Sequence, residues 1–256
     1  MFRSSYLTLL ISLWSFTAFG FDQAHTAWGM VLHGFRNDDA RVRYAELKKA
    51  AATRKDHPFN VYISDIQQVP KADFEKWTRQ EQMAFLLNTY NALTVRLILD
   101  HYPVKSIREI GGIWQKPWSI EFFSILGGAA KSLDSIEHQL LRPVYLDCRV
   151  HSAANCASMS CPALRAEPYV GSRINEQLDD QMRQWLADAT RNQFDGATGR
   201  FKISKIFDWY QSDFDTWGGG LTKVLATFAP EASRSAIKKG GDIKYLDYDW
   251  HLNDAK

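Results

Sequence analysis

The chain has 256 residues, 45% hydrophobic, 23% charged and 13% aromatic, enough to bury one sizeable core or two small ones without disulfides. Thirty-one Lys and Arg against 29 Asp and Glu leave a formal charge of +2, so bulk charge implies no polyanion and no nucleic-acid partner. Nine Trp exclude disorder, and only three Cys exclude a disulfide-built mini-fold.

Residues 1–20 read as a secretory signal. Arg3 is their only charge, and Tyr6 to Phe16 is apolar apart from scattered Ser and Thr. Ala18 and Gly20 put small residues at the −3 and −1 positions of a cleavage site. The apolar run is too short for a stable spanning helix; left uncut, it would serve as an anchor. Cleavage predicts a mature chain from Phe21 with no transmembrane span, exported and, in a bacterium, periplasmic, where thiols can be oxidised.

Phe21 to Phe35 has Trp28, Val31, Leu32 and Phe35 at helical spacing, and Asn37-Asp38-Asp39 breaks it. A second helical stretch runs through Tyr44, Leu47 and Ala51, and a third from Phe59 to Gln67. The strongest helix follows, from Arg79 to Leu99, with Thr78 as N-cap and Glu81 three residues later. Its apolar residues go all the way round, which predicts a helix buried on most sides.

Beyond it the pattern shifts. Trp118 to Leu126 has strand-like density, Gly127-Gly128 makes a turn, and Ala129 to Leu133 is expected to return as a hairpin. Asp134 with Glu137 opens a short helix ending near Arg142-Pro143, and Cys148 to Ala153 reads as a strand. Gly171 to Ala189 is amphipathic, Phe201 to Ile203 is a short strand, and Ser204 caps a helix bearing Ile206, Phe207 and Tyr210. Gly218-Gly219-Gly220 turns into a helix over Leu221 to Phe228, and Ile243 to Leu246 closes the chain as a strand. With no repeat and no long linker, residues 21–256 form one α+β domain: mostly helical, with a buried central helix and a small antiparallel sheet.

Two features break the bland pattern. Asn88 and Asn91 share a face of the apolar helix, with Glu81 seven residues before on roughly the same line. They serve either as core amides pinning neighbouring backbone or as polar groups in a pocket wall. The second feature is Asp147 to Pro162, which holds all three cysteines with His151 and Asn155.

Three chemistries compete there. Cys156 or Cys161 can act as a nucleophile with His151 as base, oriented by Asn155 or Glu137; His138 is the other candidate base. A continuous strand over 150–156 would set His151 and Cys156 on opposite faces, roughly 16 Å apart, so the dyad requires a bend after Ala153. A zinc site over Cys148, His151, Cys156 and Cys161 has irregular spacing. A Cys156–Cys161 disulfide suits an exported protein and leaves Cys148 as a packed thiol. The thiols rank Cys156, then Cys161 before Pro162, then Cys148. His25, His33, His57, His101 and His251 are scattered, and Trp209-Tyr210 with Asp213-Phe214 reads as core aromatics at helical spacing. No phosphate-binding Gly loop, GxSxG or HExxH occurs.

The run Glu81 to Thr94, followed by His101-Tyr102-Pro103-Val104-Lys105-Ser106-Ile107, resembles the family of domain of unknown function 547. So do Leu133 to His138 with Leu141-Arg142-Pro143, and His151 to Cys156 followed by Ser160-Cys161-Pro162. The likeness extends to Phe21 to Leu47 and to Trp209-Tyr210 with Asp213-Phe214, so it takes in nearly the whole mature chain. The family's recurrent residues map onto Asn88, Asn91, Glu137, His138, His151, Asn155, Cys156 and Cys161, and its bacterial members resemble exported single-domain proteins. Cys148 stands where the family usually has Pro, which weakens the four-ligand zinc set. The resemblance implies no settled activity. The Cys, His and amide set is similar to a cysteine-peptidase or transglutaminase-like layout, although no Cys opens the apolar helix, so the order would be rearranged.

The expectation is a thiol-dependent hydrolase or acyl transferase using Cys156, His151, His138 and Glu137, with Asn88, Asn91, Asn155 and Cys161 binding a small molecule or peptide. The alternative is a non-catalytic periplasmic module that binds a ligand or a protein and carries a Cys156–Cys161 disulfide. Neither reading calls for a cofactor or a metal.

Overall fold

The structure, a computed structural model, describes residues 20–112 and 114–255; all but the last residue of the expected signal segment lie outside the described residues. The chain is a mostly helical α+β domain built around the helix Arg79–His101. A reciprocal cap opens this helix: Thr78 Oγ1 accepts from the Glu81 N–H at 3.2 Å, and the Thr78 N–H donates to Glu81 Oε2 at 2.8 Å. From Met83 to Leu99 every residue except Arg96 is buried, as all-round apolarity demands. Tyr44–Thr53 and Pro58–Gln68 pack on it directly, with Thr26–Phe35 laid across both. Gly171 lies so close to its first turn that a Cβ there would stand 2.9 Å from the Glu81 backbone, so only glycine fits.

A second core lies beside the sheet. The helix Ile174–Ala187 joins the two, giving Ile174 and Leu178 to the central cluster and Met182, Trp185 and Leu186 to the other. There Trp185 stacks on Phe207 at 4.5 Å, and Phe207 meets Phe214 at 4.6 Å.

The sheet has three strands, β1 Gln193–Asp195, β2 Arg200–Ile203 and β3 Asp242–Tyr245. It is mixed rather than wholly antiparallel. β1 and β2 form the antiparallel half, but β3 lies parallel to β2 with Phe201 opposite Ile243. The chain between β2 and β3 passes through four helices, Ile206–Trp209, Gln211–Thr216, Leu221–Phe228 and Glu231–Lys238, and that crossover is long enough to return in parallel.

Two expected β segments differ. In place of the hairpin over Trp118 to Leu133 are 3₁₀ turns at Pro117–Ser119 and Leu126–Gly128, joined by one bridge, Ile125 to Ala130. Leu126, Gly127 and Gly128 all have positive φ (51°, 65° and 91°), which ends any ladder after that bridge. Cys148 to Ala153 is not a strand either; Val150–Ala153 is a helical turn with all four residues buried. A short apolar run buried on every side carries no periodicity that separates strand from helix. The helix expected from Asp134 is opened instead by Ser132, reciprocally capped with Ser135, and continues through a π-helical stretch, Ile136–Leu141, into Arg142–Tyr145.

After β3 the chain runs back as a strap over the cysteine segment. The Met159 N–H donates to His251 O at 2.9 Å, the Ser160 N–H to Asp249 O at 3.2 Å, and the Asn253 N–H to Ala157 O at 3.1 Å. Sequence periodicity had ended at Leu246, and the strap carries Tyr248 into the site.

Candidate functional site

The central helix shapes the cysteine segment through one amide. Asn91 Nδ2 donates to Ala153 O at 3.0 Å, and the Asn155 N–H donates to Asn91 Oδ1 at 2.8 Å. Between these bonds Ala154 is extended, so the helical turn ends and the chain bends at that point. Asn88 does the same for the next segment, donating to Tyr169 O at 2.7 Å and accepting the Tyr169 N–H at 2.9 Å. Both amides pin backbone in the core, and neither is among the residues that line the cavity beside the cysteines. Asn155 is a third clasp, accepting the Ala157 N–H at 2.9 Å and donating to Pro162 O at 2.7 Å.

Glu137, His138, His151, Cys156 and Cys161 do come together, around one open cavity of about 820 Å³. Trp118, Trp209, Tyr210, Tyr248 and Trp250 wall it, and Arg108 and Lys116 stand at its edge. Trp209 stacks on Trp250 at 5.6 Å, and Tyr248 meets Trp250 at 4.4 Å, which gives a continuous aromatic surface.

His151 is buried, and its Nε2 lies 2.8 Å from Asp213 Oδ2. Arg142 binds the same carboxylate in a fork, Nε to Oδ2 at 2.7 Å and Nη2 to Oδ1 at 3.0 Å. Burial alone would raise the Asp213 carboxyl; the bonds from His151 and Arg142 outweigh it and hold it at about 2. An ionised carboxylate only accepts, so His151 Nε2 carries a proton, and the tautomer that this bond selects is the one with its lone pair on Nδ1. Nδ1 makes no hydrogen bond among the described residues. Tyr210 stacks on the imidazole at 4.0 Å, lies 4.7 Å beneath the Arg142 guanidinium, and donates its hydroxyl to Glu137 Oε1 at 2.8 Å. Burial, reinforced by Glu137, pushes the Tyr210 phenol far above its ordinary range. Glu137 therefore fixes the stacked tyrosine rather than the imidazole.

His138 is less suited to act as a base. Its Nδ1 lies 2.8 Å from Arg142 Nη1, and arginine has no acceptor, so the ring's lone pair is already taken.

Cys156 is half-buried. Its Sγ lies 3.2 Å from Tyr248 Oη and 3.3 Å from Ser158 Oγ, and its N–H donates to Cys161 Sγ at 3.0 Å. A hydrogen bond from the Cys161 thiol lowers the Cys156 thiol to about 7 against the opposing effect of burial, and Ser158 and Tyr248 assist. Burial pushes Cys161 the other way, well above the ordinary thiol range. No hydrogen bond joins Cys156 to His151 among the described residues. Cys148 is buried in the second core, and desolvation raises it to about 11. The four residues of the zinc set therefore do not assemble, and among the described residues no group of three or more His, Cys, Asp or Glu is placed to hold a metal. All three cysteines are free thiols.

Asp213, Arg142, Tyr210 and Tyr248 escaped the sequence reading as site groups. Tyr210 and Asp213 stand three residues apart among aromatics, and an acid inside an apolar helical pattern was the available signal. Tyr248 left no local signal.

Residues 74–186 match the model of the family described as "Protein of unknown function, DUF547". That span carries the central helix, Glu137, His138 and the cysteine segment, and leaves Tyr210, Asp213 and Tyr248 outside. No curated protein and no solved structure matches the chain.

Proposed function

We propose that this chain, a member of the DUF547 family through residues 74–186, is a thiol-dependent hydrolase or acyl transferase with Cys156 as nucleophile and His151 as its base, oriented by Asp213. The observation that carries this reading is the His151–Asp213 bond, which leaves Nδ1 as the acceptor of an imidazole lining the same cavity as a thiol of lowered pKa. The thiolate would attack an acyl carbonyl, forming a C–S bond. The leaving group would depart with a proton from the His151 imidazolium. Water or another acceptor, giving its proton to His151, would then break the thioester and restore the thiol. Catalytic hydrogen bonds tighten when substrate binds, and that step would bring the Cys156 thiol and the His151 imidazole together.

The test uses p-nitrophenyl acetate with the full chain. An acyl adduct on Cys156 and turnover abolished in Cys156→Ala support the reading; unchanged turnover in that variant overturns it.

A non-catalytic recognition role is the second reading, favoured by the aromatic surface of Trp118, Trp209, Tyr248 and Trp250. Export is part of the proposal. It is supported by the sequence of residues 1–20 and by the packing of Phe21, the first residue after the expected cleavage site, against Phe85 at 5.2 Å and Trp77 at 5.5 Å. Amino-terminal sequencing of the protein recovered from a bacterial periplasm should begin at Phe21. Among the described residues no helix is long and apolar enough to cross a membrane.

A further inference from the structure

We infer that Cys156 and Cys161 form a built-in thiol–disulfide pair, in which Cys156 is modified by a low-molecular-weight disulfide and Cys161 resolves the adduct into an internal bond that switches the thiol off. This rests on the reading of Cys156 as the reactive thiol.

The geometry comes from the loop between them. Asn155 binds Ala157 and Pro162 at once, which closes the segment on itself. The Cys161 N–H donates to Ser158 O at 3.2 Å, and Arg191 Nε holds Cys161 O at 2.6 Å. Cys161 Sγ is thereby set 3.0 Å from the backbone nitrogen of Cys156, and its side chain interacts with the Cys156 thiol. Asn155, ranked by sequence as a ligand-binding or imidazole-orienting group, acts here as the clasp of this loop.

The chemical roles are unequal. Both cysteines line the cavity, but Cys156 is half-buried and carries the lowered thiol, whereas Cys161 is more deeply buried and its thiol is raised, so Cys156 is the first to meet an external reagent. The Cys156 thiolate attacks one sulfur of the external disulfide, forming a mixed disulfide and releasing one thiolate. Cys161 then gives its proton to that thiolate and attacks the Cys156 sulfur, expelling a second thiolate, which takes up from water the proton that Cys156 released on ionising. The protein loses two electrons and two protons, and the external disulfide leaves as two thiols. The free-thiol nucleophile and the disulfide-bearing module are thus two oxidation states of one site.

The test uses the reduced full chain with oxidised glutathione, read by intact mass and peptide mapping. Expected is an internal Cys156–Cys161 bond with no glutathione retained and Cys148 still a thiol. Cys161→Ser, checked for folding by circular dichroism, should instead hold glutathione on Cys156. Glutathione retained on Cys156 in the unsubstituted chain, or both thiols left unreacted, overturns the inference whether or not the variant folds. Ester turnover by the same samples separates the two proposals. Disulfide formation with no turnover by the reduced protein sinks the hydrolase alone; turnover with arrest at the mixed disulfide sinks the pair alone. With both correct, oxidation abolishes turnover and dithiothreitol restores it.

Discussion

Asp213 accepts a hydrogen bond from His151 Nε2 at 2.8 Å across 62 residues of chain, and that bond decides which imidazole nitrogen carries the proton. Asp213 comes from the helix Gln211–Thr216 and His151 from the turn Val150–Ala153, so the tautomer is a product of how two elements dock.

Asp213→Asn should preserve shape and reverse the tautomer, because the new amide can donate to Nε2. Turnover of p-nitrophenyl acetate is expected to fall by about two to four orders of magnitude. The Arg142 fork loses its charge partner too, so urea unfolding should show a loss of about 2–4 kcal/mol. Unchanged turnover with the lowered stability would leave the bond a purely structural one.

The same carboxylate makes stability depend on acid. Its folded value of about 2 lies below the ordinary 3.8, so its contribution is fully present above pH 4 and lost as pH falls through 2. The amount is about 2 kcal/mol. Denaturant unfolding across that window should slope less steeply in Asp213→Asn than in the parent.

Alkylation by iodoacetamide should rank the cysteines. Cys156 is lowered to about 7, so its rate should climb as pH rises through neutrality and then level off, while Cys148, raised to about 11, stays slow. At pH 7 the ratio should exceed about a hundredfold. Cys161→Ala removes the strongest donor to the thiolate and should move the Cys156 profile toward higher pH. Fastest labelling at Cys148 would refute the ranking.

Asn91→Ala and Asn88→Ala each strand two buried backbone groups and should cost about 2–4 kcal/mol in chemical unfolding. They should differ in a second readout. Asn91 holds the bend that leads to Cys156, so its loss should disturb the alkylation profile, whereas the loss of Asn88, bonded to Tyr169, should leave that profile in place.

The central helix was legible from its residues because its signals are local. Thr78 and Glu81 cap it within one turn, and apolar side chains on every face admit no other placement. The amphipathic helix Ile174–Ala187 and the strands at Phe201 and Ile243 were legible for the same reason. The density of reactive side chains between Cys148 and Cys161 also pointed to the segment that lines the cavity.

Tertiary structure decided the rest. β3 joins the sheet in parallel because a four-helix crossover brings it back, and strand pattern alone does not encode direction. Val150–Ala153 is helical because docking buries it on all sides, where periodicity is silent. Asn88 and Asn91 suited a pocket wall or a core clamp equally well until Tyr169, Ala153 and Asn155 were placed beside them. Asp213 and Tyr248 reach the imidazole and the thiol from 62 and 92 residues away, a proximity that only the packed chain creates. Sequence alone determined the helical scaffold and the cluster of thiols; long-range packing chose the partner, proton position and charge of each group, because those depend on what lies within 3 to 4 Å in space rather than on neighbours along the chain.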